Sequence, residues 1–349
     1  MPLSPLASRA EAVAPAVGSL SEIAAAELTA VALRPQVGNP THVSCSHRSP
    51  TWFGETWVQD RYQVIAPLNE AASRAPQSRE LQVFWALDRD DDDRPKVLKM
   101  VRRDGTARSS RLQRLYCEAQ VLMQSLHHPH IPSVAVDGFF QWSAIEHGPL
   151  FQVLVMEAIE GEPLDAYLRR CHRITLDEAL RWWVELSGTL QAVHQAGWIH
   201  GDLKPANLIV RPNGQLALVD FDAALRVGES AAACGSAGYM APEQRRGDRV
   251  GAATDWFALG RTLIHGLTGE HPLDLQMATS EPGGLAWRDH CPDVPEAIAY
   301  ALDRLMAPAM GDRRMVSPQL PTRYLLNLAR RLSQRPPSLG AIAPQAQAA

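Results

Sequence analysis

The sequence predicts an α+β fold in which a sheet precedes a set of helices, and three observations carry that expectation. Short runs rich in β-forming residues fill the first third of the folded part. From Ser110 onward apolar residues recur with the 3.6-residue period of helices, and 46% hydrophobic content over 349 residues is enough for a substantial core.

The strands come first. Tyr62 to Ile65, Leu81 to Ala86 and Val97 to Val101 are the first three, and Val134 to Phe140 and Phe151 to Met156 complete a five-stranded sheet. The acidic connection Asp88-Arg89-Asp90-Asp91-Asp92-Asp93 lacks an EF-hand pattern, so its charges are expected to be solvated rather than metal-bound. Ser110 with Gln113 reads as a capping box, opening a helix whose Leu112, Leu115, Ala119, Leu122 and Leu126 share a face. Thr175-Leu176-Asp177-Glu178 is a second box. The helix it opens sets Leu180, Trp183, Val184, Ser187, Leu190 and His194 on one face, with Trp183 in the core and Trp182 towards the surface, and Gly197 stops it. Further helices are expected at Asp255 to Leu267 and Pro295 to Met306.

Residues 1–57 are rich in Ala, Pro and Ser and read as a flexible extension, with one short helix signal at Ser19-Leu20-Ser21-Glu22. Residues 334–349 read as a disordered tail. A net charge of −4 gives no electrostatic footprint for nucleic acid, no run of eighteen apolar residues offers a membrane span, and no export signal opens the chain. Five cysteines, odd in number and scattered, fit a reducing cytoplasm rather than a disulfide framework or zinc site. His127, His128 and His130 around Pro129 read as a turn.

The chemistry concentrates in His200-Gly201-Asp202-Leu203-Lys204-Pro205-Ala206-Asn207, followed by Asp220-Phe221-Asp222 thirteen residues after Asn207. The apolar runs Leu208 to Val210 and Leu216 to Val219 are joined through Asn213-Gly214, a strong hairpin signal, which folds Asn207 back towards Asp220. Oxygens of Asn207 and Asp220 suit Mg²⁺. Asp202 can accept a hydroxyl proton and Lys204 can offset phosphoryl charge. Upstream, strand alternation sets Lys99 on a buried face with Val97 and Val101, where a lysine needs a partner, and Glu118 borders the apolar stripe of the first helix.

These residues resemble the protein kinase family from about Tyr62 to Arg313, and within it the bacterial, eukaryotic-like serine/threonine kinases. The resemblance implies a bilobal fold: a small antiparallel-sheet lobe with one main helix at 58–158 and a larger, mostly helical lobe at 159–333. It implies that Lys99 grips ATP phosphates with Glu118 as its helical partner in the nucleotide site, that Leu154 to Gly161 is the hinge, and that Met156 is its gatekeeper. Backbone groups of Glu157 and Ile159 would then meet the adenine. Asp202 and Lys204 become catalytic, and Asn207 and Asp220 become ligands for Mg²⁺, with Mn²⁺ as an alternative. Gly238-Tyr239-Met240-Ala241-Pro242-Glu243 resembles the end of an activation segment, Arg313 is expected to pair with Glu243, and Asp255 begins the helix that anchors the catalytic loop. Lys204 and Ser236 favour a protein substrate with a Ser or Thr hydroxyl; Ser236 is expected to orient Asp202 and Lys204.

The pattern breaks in three places. No glycine occurs between Gly54 and Gly105, so the family's Gly-rich loop is replaced by a long connection carrying Arg74 and Arg79. Gly201 replaces an arginine that in many kinases receives an activation-loop phosphate, and Asp222 replaces a glycine. Two alternatives therefore stand beside the kinase: a pseudokinase scaffold with little turnover, and an aminoglycoside-like small-molecule phosphotransferase, against which the Ala-Pro-Glu segment argues.

Overall fold

The computed structural model describes residues 56–68, 81–103, 110–124, 126–144, 146–231, 235–277 and 285–313. Six strands, β1 (Trp57–Val58), β2 (Tyr62–Pro67), β3 (Gln82–Asp88), β4 (Arg94–Arg102), β5 (Phe139–Trp142) and β6 (Phe151–Glu157), form one antiparallel sheet in the order β1-β2-β3-β4-β6-β5. Alternation along β4 divides its side chains between two cores. Leu98 and Met100 join Phe84, Ala86, Val153 and Val155 on one face, while Val97 and Val101 pack on the other with Leu154 and Met156.

Helix α1 (Ser110–Gln124) lies against that second face, packing on β4 and β6 through the predicted stripe of Leu112, Leu115, Ala119 and Leu122. Each buried leucine contributes roughly 1.5–3 kcal/mol. Beyond β6 the chain becomes helical: α2 (Leu164–Cys171), α3 (Leu176–Gln195), α4 (Pro242–Arg246), α5 (Ala252–Thr268), α6 (Pro272–Met277), α7 (Glu296–Leu305) and α8 (Met310–Arg313). The Thr175–Glu178 capping box forms as expected, and Gly197 follows the end of α3 at φ +82°. Helix α5 packs on both α3 and α7, which is why nearly all its residues are buried. A three-stranded sheet is drawn from among the helices: β7 (Glu162–Pro163) precedes α2, β9 (Leu208–Val210) and β10 (Leu216–Leu218) lie between α3 and α4, and the strand order is β10-β9-β7. A further pair joins β8 (Trp198–Ile199) to β11 (Leu225–Arg226).

The structure corrects the sequence-based expectations in several places. The sheet gains a sixth strand, too short to announce itself by alternation. The fourth predicted strand starts at Phe139 instead of Val134, because the chain turns at Ala135 to Gly138, where Gly138 N–H donates to Ala135 O at 2.9 Å. Ser110 is the first helical residue of α1 rather than its cap. Trp182 is buried like Trp183, since its ring stacks edge-on against Tyr167 and its indole N–H donates to Gly214 O at 2.9 Å. Asp88 is not solvated: it is 1% exposed and takes two bonds from Arg61, at 2.7 and 2.9 Å. The Ser19–Glu22 helix signal, the loop carrying Arg74 and Arg79, and the tail at 334–349 lie outside the described residues, as does the extension before Thr56. Among the described residues no helix is long and apolar enough to cross a membrane.

Candidate active site

The Asn-Gly signal forms the hairpin it predicts. Arg211 N–H donates to Gln215 O and Gly214 N–H to Arg211 O, both at 2.8 Å, with Gly214 at φ +80°, a conformation that costs glycine little. The register pairs Leu208 with Leu218, and beyond it Val219 N–H donates to Asn207 O at 3.0 Å. Asp220 is thereby delivered one residue past Asn207's backbone partner. It sits at φ +65°, a left-handed conformation that a non-glycine residue holds only where its surroundings over-determine it.

Those surroundings are a buried charge cluster. Lys99 Nζ donates to both Glu118 oxygens, at 2.7 and 2.8 Å, and to Asp220 Oδ1 at 2.7 Å. Lys99 is 5% exposed and Glu118 1%. Burial by itself would discharge the ammonium, but the carboxylates of Asp220 and Glu118 outweigh it and hold Lys99 charged well above its ordinary range. Against the same burial, Lys99 keeps the Asp220 carboxyl below its usual value. Phe221 continues the link, its N–H donating to Glu118 Oε1 at 3.2 Å and its buried ring packing edge-on against His200 at 4.9 Å. Asp222, 3.6 Å from Arg114, is pushed up to about 7 by burial and by repulsion from Asp220.

A second cluster forms around Asp202. Ser236 N–H donates to Asp202 Oδ1 at 2.7 Å, and Lys204 Nζ lies 3.2 Å from Asp202 Oδ2 while donating to Ser236 Oγ at 2.7 Å. Asn207 Nδ2 donates to Asp202 O at 2.8 Å, so its amide oxygen is left to other partners. The sequence predicted that Ser236 would orient Asp202 and Lys204, and the geometry matches. Asp255, fully buried, clamps the loop from below: it accepts from His200 N–H at 2.9 Å and Gly201 N–H at 3.0 Å, with His194 Nε2 at 2.8 Å.

At the lobe junction, Met156 is 5% exposed in the main core. Glu157 N–H is already spent on Ser133 O at 2.8 Å, so only the carbonyl of Glu157 can face a ligand. Ile159 packs on Ile209, Ala217 and Val219 of the hairpin, and its N–H has no backbone partner among the described residues. Farther off, Arg313 pairs doubly with Glu243 at 2.8 Å, as the sequence predicted.

Residues 82–284, more than half of the chain, match the family model described as protein kinase domain. The chain belongs to the protein kinase family.

Among curated proteins, this kinase chain is 33% identical to serine/threonine-protein kinase PknA of Mycobacterium tuberculosis over 181 residues, which cover 50% of this chain and 41% of that protein. It is 29% identical over 220 residues to the probable serine/threonine-protein kinase PknB of Lactococcus lactis (62% of this chain, 32% of that protein). It is 34% identical over 171 residues to serine/threonine-protein kinase F of Synechocystis (47% and 34%). The matched stretch thus spans less than half the length of these relatives.

Two contacts escaped the sequence reading of this kinase domain. Lys99 was expected to pair with Glu118, but its equal bond to Asp220 joins residues 121 apart in the chain, and no local pattern encodes that. Gln244, one residue past the Ala-Pro-Glu segment, is 1% exposed and donates to Gly201 O at 2.7 Å. No local pattern in the sequence marks it.

Proposed function

We propose that this chain is an ATP- and Mg²⁺-dependent serine/threonine protein kinase. One observation carries the proposal: Lys99 bonds Glu118 and Asp220 simultaneously, so the strand lysine, the helix glutamate and the metal-binding aspartate occupy together the arrangement that phosphoryl transfer requires. The donor set fits a hard cation, since Asn207 and Asp220 offer oxygens from an amide and a carboxylate held below its usual value. Mg²⁺, when bound there, supplies charge neutralisation on the phosphate oxygens.

This chain's own residues do the rest by position and electrostatics. Asp202, its carboxylate fixed by Ser236 N–H and Lys204, orients the acceptor hydroxyl and takes its proton. Lys204 stabilises the transferring phosphoryl group. Lys99, locked by Glu118, fixes the nucleotide phosphates, while the Glu157 carbonyl and Ile159 N–H meet the adenine edge and Met156 bounds the pocket behind it. Serine/threonine specificity is supported by the Lys204–Ser236 bond at 2.7 Å and by the names of the relatives. The free thiols of Cys117, Cys171 and Cys291 support a cytoplasmic location.

The missing glycines between Gly54 and Gly105 favour one rival, a scaffold that binds partners without turnover. Purified protein incubated with γ-labelled ATP, Mg²⁺ or Mn²⁺ and a generic protein acceptor decides between them. Label in phosphoserine or phosphothreonine is expected. No label with either metal would leave the scaffold.

A further inference from the structure

We infer that Gln244 is a positioning residue whose carboxamide fastens the activation segment to the catalytic loop, replacing the charged phosphate link by which many kinases order that segment. The inference rests on the kinase reading above and concerns how the same site is held ready.

Three close approaches support it. Gln244 uses both ends of its amide: Nε2–H donates to Gly201 O at 2.7 Å and Oε1 accepts from Ala241 N–H at 3.0 Å. The side chain is 1% exposed, so its hydrogen bonds form out of competition with water, and losing one leaves a buried carbonyl unsatisfied. Gly201 is shaped to receive it. Its φ is +79°, and a Cβ there would stand 2.6 Å from Ala223 O, so this backbone excludes the arginine of phosphate-dependent kinases. Gly235 closes the other side: a Cβ on it would come within 3.2 Å of both Gln244 Nε2 and Gly201 O. Its successor, Ser236, carries the N–H that holds Asp202 at 2.7 Å. One neutral hydrogen bond therefore ties the loop bearing Asp202 to α4, and Gly235, next to Ser236, lies closely against both of its atoms. Ordering the segment this way needs no phosphate and no cation.

Positioning through Asp202 predicts a loss in turnover rather than in nucleotide affinity. Gln244→Met keeps the length and burial of the side chain but removes both its donor to Gly201 and its acceptor for Ala241, whereas Gln244→Glu keeps the acceptor and presents an oxygen where the Gly201 carbonyl needs a donor. Both are expected to lower kcat at least tenfold while KM for ATP stays within twofold, because Lys99, Glu157 and Ile159 lie on other elements. Exhaustive phosphatase treatment of the wild type is expected to leave its rate unchanged. Hydrogen–deuterium exchange supplies a test without activity: in Gln244→Met, amides of residues 235–241 should exchange at least tenfold faster, with the sheet lobe unaltered. Unchanged exchange in that segment overturns the inference whether or not transfer is seen, and so does a wild type that loses tenfold in rate on dephosphorylation. Absence of transfer by the untreated wild type counts against the kinase reading alone, and the exchange measurement then decides the role of Gln244. If Gln244→Glu does not fold, Gln244→Met carries both measurements.

Discussion

Lys99 Nζ stands 2.7 Å from Asp220 Oδ1, bridging the central strand of the small sheet and the residue just past the β9–β10 hairpin. Glu118 Oε1 is equally close to the same nitrogen, so one buried cation holds α1 and the hairpin's exit in a single arrangement. Two carboxylates around one ammonium also explain how Asp220 tolerates φ +65°.

Lys99→Met leaves Glu118 and Asp220 buried without a cation. Removing one partner of a buried pair costs about 3–5 kcal/mol, so urea denaturation should show a loss of that order, and labelled-phosphate transfer should fall at least a hundredfold by the electrostatic contribution the lysine makes.

Gly201→Arg is expected to damage the protein rather than to create phosphate control. The left-handed φ of +79° and the 2.6 Å approach of a Cβ to Ala223 O require the backbone to shift, and the residue's N–H and C=O are bonded to Asp255 and Gln244. Strain at such a site costs about 1–3 kcal/mol. Melting temperature and transfer rate should both drop, with or without activation-segment phosphate.

Arg313→Ala removes the guanidinium that donates two bonds to Glu243 and one each to the carbonyls of Ala253, Ala307 and Pro308, with Arg313 fully buried. Roughly 3–5 kcal/mol of stability should go with it. Double substitution with Glu243→Gln should recover part of that loss, because the uncompensated buried charge is then gone.

His265 gives the stability of the helical lobe a pH dependence. Its Nδ1 lies 2.6 Å from the Tyr239 hydroxyl; burial, reinforced by His271, depresses it to about 4 from an ordinary 6.5. The unfolded chain therefore takes up a proton at higher pH than the fold does. Stability contributed by the neutral ring is fully present above pH 6.5 and is lost as pH falls from there towards 4. Thermal melts of wild type and His265→Gln between pH 7.5 and 4.5 should diverge in slope, the wild type falling more steeply. Parallel curves would contradict the assignment.

Local chemistry made much of this legible in the sequence. The Asn213-Gly214 turn fixes a two-strand register by backbone geometry alone, and the Thr175–Glu178 box starts α3 with its own side chains. Glu118 was found because the apolar stripe of α1 leaves few directions for a charge beside Lys99. Long-range contacts stayed hidden for the opposite reason. Nothing near Trp182 tells that the carbonyl of Gly214 will meet its indole, and nothing near Gln244 tells that Gly201 will lie within reach. The Asp88 pair with Arg61 was likewise obscured, because a run of aspartates looks uniformly solvated until folding buries one of them.

The most direct measurement is steady-state transfer of labelled phosphate to a protein acceptor by wild type and Asp202→Asn, with the Mg–ATP dissociation constant determined for both. In the proposed mechanism the nucleotide is held by Lys99, Glu157 and Ile159, so the account predicts near-equal ATP affinity and a fall in kcat of at least a hundredfold in the variant, the scale of a lost general base. Equal turnover by the two proteins would contradict it.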